Sequence, residues 1–159
     1  MAIYIIFPEI EGDATAEGHE GEMQLESCSL SVGHTGNPAE ASSHATGMVH
    51  AAPISFMKYV DRSTPLMIQA CCNGQIWDED VIITHTKKVK DETIDYFVIT
   101  LGSAQIIDDS IQSAGDGAPV EVVSLAYGEI RWEYFPLGKG GDQDGVTEAE
   151  FSLITQAAG

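Results

Sequence analysis

Basic residues are what this chain has least of. Seven Lys and Arg stand against 25 Asp and Glu in 159 residues, a formal charge of −18. Nucleic acids and anionic membranes are held by basic patches that release counterions, so the sign of the charge argues against both as partners. Long apolar runs are missing too, and no stretch is long enough to cross a bilayer as a helix. The opening Met1-Ala2-Ile3-Tyr4-Ile5-Ile6-Phe7-Pro8 has neither a basic n-region nor a small-residue cleavage site. It reads as a buried first strand, and the expectation is cytoplasmic synthesis without export by the general route. Cysteines number three, at Cys28, Cys71 and Cys72, an odd count that builds no disulfide framework. The vicinal pair has no second pair to complete a zinc site, so at least one of them is expected in the core as a small hydrophobe.

The motifs of catalysis are equally scarce. There is no G-x-S-x-G elbow and no paired Cys and His at a recognisable spacing. Gly138, Gly140 and Gly141 lack the strand-to-helix context of a phosphate loop, and Gly12, Gly18 and Gly21 belong to an acidic loop. His34, His44 and His50 share one loop at spacings that match no standard ligand pair, with His19 and His85 elsewhere. Asp142-Gln143-Asp144-Gly145 brings its glycine too early for an EF-hand and reads as an acidic turn. The expectation is a protein that is not an enzyme, with no catalytic set, no metal and no cofactor.

What the chain has in quantity is strand pattern. Val123, Leu125 and Tyr127 alternate with Val122, Ser124 and Ala126, and Ile130, Trp132 and Tyr134 alternate with Arg131 and Glu133. The apolar phase slips by one residue at Gly128-Glu129, which predicts a β-bulge there. Thr93 to Ile107 reads as one long strand with Tyr96, Val98 and Thr100 on one face and Phe97, Ile99 and Leu101 on the other. Two apolar faces imply two coverings: one side faces the core, and the other is expected to meet a helix or a neighbouring subunit. Lys87 to Glu92 and Ser113 to Pro119 are polar hairpin connections, the second carrying an Asp-Gly turn signal.

A single helix interrupts this pattern. The run Ile54, Phe56, Tyr59, Val60 gives way at Asp61 to Arg62-Ser63-Thr64-Pro65. Thr64 is expected at the N-cap, with Pro65 at the first helical position. About two turns follow, to Cys72, before Asn73-Gly74 supplies a left-handed stop. The fold class is therefore mainly β: one domain over residues 1–159, a small barrel of seven or eight strands in two sheets with one short α-helix packed against it.

This same segment carries a resemblance. Phe56, Lys58, Tyr59, Asp61, Ser63, Thr64 and Pro65, followed by Ala70, Cys71 and Gly74, resemble the signature of the haemolysin-coregulated protein (Hcp) family, the tube proteins of bacterial type VI secretion. Asp95 to Leu101 and Ile130 to Tyr134, ending at Pro136, match in order, so the likeness runs from about Met23 to Pro136. It implies a homohexameric ring, with rings stacked into a hollow tube that a contractile sheath expels together with a spike. The lumen of such a ring holds small effector proteins in some members. Localisation would then be cytoplasmic, followed by secretion through the type VI machinery. The long loop Gly33 to Pro53, rich in Ala, Ser, Gly and His, stands where the family's loop reaches the next ring, which implies a stacking role for His34, Asn37, Ser42, His44, Thr46 and Met48. Phe151 stands where the family commonly has a tryptophan, and the chain is too short for a toxin domain fused behind the tube domain. Two other readings stay open: a phage-like tail-tube protein, and a monomeric or dimeric barrel that binds a small ligand.

Overall fold

The computed structural model describes residues 1–40, 48–141, 145–155 and 157–158. Its strands, in chain order, are β1 (Ala2–Ile6), β2 (Met23–Leu25), β3 (Ser27–Ser29), β4 (Val32–His34), β5 (Val49–Ala51), β6 (Ile54–Tyr59), β7 (Val81–Val89), β8 (Glu92–Gly102), β9 (Gln105–Gln112), β10 (Val120–Ala126), β11 (Glu129–Tyr134), β12 (Thr147–Ser152) and β13 (Ala157–Ala158). One α-helix, α1 (Thr64–Asn73), sits between β6 and β7. The mainly β expectation holds, with more and shorter strands than the pattern alone resolves.

Two sheets enclose the core. A seven-stranded sheet runs β13-β12-β11-β8-β7-β1-β2, and a four-stranded sheet runs β3-β6-β10-β9. Corners form where the chain changes sheet. Glu26 turns the chain from β2 into β3 and donates its backbone N–H to Met57. Between the sheets lie Ile5, Phe7, Met23, Ile54, Phe56, Ile83, Leu101, Ile106 and Leu125, none more than 2% exposed.

Two sequence expectations are corrected at such corners. The phase slip at Gly128 is a change of sheet, not a bulge: β10 belongs to the small sheet and β11 to the large one, with Tyr127-Gly128 between them. Each strand keeps its own alternation, so no repair is needed. The register shifts lie instead at Ser124/Leu125 and at His85/Thr86. Likewise Thr93 to Ile107 is two strands, because Ser103 takes a left-handed φ of 51° and turns the chain from β8 into β9. Val98 on the second face of β8 is indeed buried, but within this chain, at 1% exposed. The two-faced pattern therefore needs no neighbouring subunit to explain it.

The helix differs from its expectation at its start. Ser63, not Thr64, is the N-cap residue, and neither makes a side-chain capping bond to the first turn. Thr64 is the first helical residue, and its hydroxyl points into the core instead. Helix α1 runs for 10 residues, nearly three turns, burying Thr64, Met67 and Ala70 at a spacing of three. At its end Gly74 takes φ 60°, ψ 35°. Gly74 donates to the Cys71 carbonyl at 3.1 Å and Gln75 to that of Ala70 at 3.0 Å, a Schellman closure.

Candidate functional site

The signature residues divide into those that pack and those that form one buried polar cluster. Phe56 is 1% exposed in the core, and its ring lies 6.4 Å from that of Phe7. Ala70 is buried, Cys71 is half-buried against the core, and Cys72 is exposed. Tyr59 points outward at 51% exposure. Lys58 is different: a lysine with no exposed surface at all.

Strand pairing puts it there. Lys58 on β6 lies directly opposite Glu121 on β10, on the inward face of the small sheet. Its ammonium sits 2.9 Å from Glu121 Oε2 and donates to Asp61 Oδ1 at 2.9 Å and Thr64 Oγ1 at 3.2 Å. The Thr64 hydroxyl donates to Glu121 Oε2 at 2.6 Å and accepts the Asp61 N–H at 3.1 Å. Asp61 Oδ1 also accepts from the backbone N–H of Ser63 at 2.9 Å and from its hydroxyl. Burial works to raise the Asp61 pKa, but the Ser63 hydrogen bonds and the Lys58 charge outweigh it and hold the carboxyl below its ordinary value. The signature thus encodes a clasp tying the start of α1 to the small sheet.

Sequence reasoning missed two members of this cluster. Glu121 is fully buried on β10, and Asp109, opposite Val123 on β9, is its diagonal neighbour on the same face. Nothing marks Glu121 as buried in the sequence except its inward phase, in line with Val123 and Leu125. Both oxygens of Asp109 and Oε1 of Glu121 are buried without a hydrogen-bond donor. Burial pushes the Asp109 carboxyl up to about 7, helped by the neighbouring Glu121.

His19 was also unassigned by sequence. Its two ring nitrogens lie 2.9 Å from Glu22 Oε2 and 2.9 Å from Asp95 Oδ1, and the ring stacks on Tyr4 at 4.2 Å. Burial works against the imidazolium, yet the two carboxylates outweigh it and raise the pKa. This staple holds the acidic loop of residues 8–22 across the large sheet. Gly12 is fixed by the same loop, since a Cβ there would lie 2.4 Å from the Glu22 carbonyl oxygen.

The long loop forms a second region. Strands β4 and β5 pair only with each other, as a two-stranded ribbon outside both main sheets. Thr35 fastens its outer end, donating its N–H to the Met48 carbonyl at 3.1 Å and accepting the Met48 N–H on its hydroxyl at 2.8 Å. His34 Nδ1 accepts the Gly36 N–H, and Asn37 Oδ1 accepts that of Ala39, ahead of a 3-10 turn at Pro38–Glu40. Val32 is 48% and Met48 62% exposed, while His34 and Asn37 are also exposed. Ser42, His44 and Thr46 lie outside the described residues. Surface clefts elsewhere, of about 660 Å³ beside Tyr4, His19 and Lys87 and about 300 Å³ beside Thr100, Arg131 and Glu150, are half-open. The space between the sheets is filled by side chains, unlike the interior of a ligand-holding barrel.

A family model for the type VI secretion system effector Hcp matches residues 4–134. The chain belongs to the Hcp family. It is similar to Protein hcp1 of Pseudomonas aeruginosa, at 25% identity over 146 residues that span 90% of this chain and 88% of the relative. A solved type six secretion system protein superposes with a TM-score of 0.87 at 18% identity, covering 99% of each chain. Hcp1 from Salmonella typhimurium gives 0.78 at 19% identity, covering 99% of this chain and 97% of its own. These likenesses establish the Hcp fold around the two regions just described, and with it a protein of type VI secretion whose family is structural and secreted.

Proposed function

We propose that this chain is the subunit of a type VI inner tube: it closes into hexameric rings, and the rings stack head to tail. A contractile sheath then drives the tube out with its spike, and the lumen carries small effectors. Membership of the Hcp family is the observation that carries this reading. The ribbon supports it independently. A β-arm with exposed Val32 and Met48 that joins neither main sheet among the described residues suits an axial contact with the next ring. His34, Asn37, Ser42, His44, Thr46 and Met48 are the residues assigned to that contact. Function resides in interfaces, with no catalytic group.

Secretion tests the reading. Expressed in a bacterium with an active type VI apparatus, the chain should appear in the culture supernatant and vanish from it when the contractile sheath is deleted. Equal release from both strains would overturn it.

A further inference from the structure

The buried cluster holds more acid than base. Around Lys58 stand Asp61, Glu121 and Asp109, and Lys58 is the only cation facing them among the described residues. Asp109 faces Glu121 from β10, Lys58 from β6 and the Cys71 thiol from α1, with Asp108 beside it on its own strand. Helix α1 itself, TPLMIQACCN, contributes no charge. Lys58 spends its donors on Asp61, Thr64 and Glu121 Oε2, which leaves Glu121 Oε1 and both Asp109 oxygens bare. A carboxylate accepts but cannot donate, so two ionised side chains leave this gap open. One proton bridges Asp109 to Glu121 Oε1, because a carboxylic acid donates to its neighbour.

We propose that Asp109 and Glu121 share a single proton beneath helix α1, and that this proton is the second half of the clasp begun by Lys58. With the proton in place, Asp109 donates to Glu121 Oε1 and the cluster carries one net negative charge. When it leaves, two bare carboxylates face each other with one lysine between three acids, and α1 loosens from β9. The inference goes beyond tube formation and does not depend on it.

The sign follows from linkage. Asp109 binds its proton more tightly folded than unfolded, so its contribution is greatest in acid and is lost as pH rises towards the folded value of about 7. Amide exchange of residues 64–73, corrected for the intrinsic pH dependence, reads this directly on the assembled protein. Protection should fall about tenfold between pH 6 and pH 8. Asp109→Asn should abolish that fall and raise the melting temperature at pH 8. Glu121→Gln, which also unpairs Lys58, should melt lower at every pH yet show the same flat profile. Infrared spectra should show a protonated carboxyl stretch near neutral pD that Asp109→Asn removes. A pH-independent wild-type helix, or an Asp109→Asn variant with an undiminished pH slope, would overturn the proposal.

Discussion

The clasp at Lys58 and the ribbon of β4 and β5 are opposite kinds of region. In the clasp, Lys58 and Glu121 are 0% exposed, and Lys58, Asp61, Thr64 and Glu121 Oε2 are bonded to one another. In the ribbon, every residue from Ser31 to Ala39 is exposed, and among the described residues the two strands pair only with each other. The clasp carries the family signature and the ribbon carries none. The comparison teaches that the signature residues hold the fold, while the residues proposed for stacking sit on an arm that the fold does not bury. A buried ion network tolerates few substitutions, since removing one member strands the others. An exposed arm is under no such constraint.

The sharpest break between the two regions is Lys58→Met. It leaves Glu121 and Asp61 buried without their cation, and should cost about 3–5 kcal/mol in denaturant unfolding. A loss below about 1 kcal/mol would make the clasp ornamental. The paired change Val32→Asp and Met48→Asp should do the reverse. Its melting temperature should match the wild type, because neither side chain is in the core, while stacking of rings seen by sedimentation should disappear. Lowered stability with stacking intact would exchange the two roles.

Much of this was legible in the sequence. The helix and its stop at Gly74 followed from Pro65 and Asn73-Gly74, and the β-character followed from alternation at Val123 to Tyr127 and Ile130 to Tyr134. Long-range pairing was not legible. Glu121 looks like a surface residue in β10 until β6 places Lys58 opposite it, 63 positions earlier in register. Thr64 looks like a capping residue because Thr precedes Pro, but its hydroxyl donates to the buried Glu121 and its oxygen accepts from the Asp61 N–H and the Lys58 ammonium. A change of sheet and a bulge leave the same one-residue slip in the sequence, which is why Gly128 misled. His19 offered no signal beyond its acidic neighbours, since Asp95 arrives 76 residues later.

The smallest effect belongs to His19, which lies in neither region and serves as a control. Its stabilising charge is fully present below the ordinary imidazole value of 6.5 and is lost as pH rises through the raised folded value. His19→Gln should therefore cost about 1–2 kcal/mol at pH 6 and little at pH 9. Equal losses at both pH values would mean that the ring acts by stacking on Tyr4 alone. Neither outcome should alter the ribbon.

The most direct measurement of the central claim is the mass of the purified chain by size-exclusion chromatography with light scattering, with negative-stain images of the main peak. A tube subunit gives a mass of six chains and ring-shaped particles. A clean monomer or dimer without rings would contradict the account of a chain that closes into rings by itself.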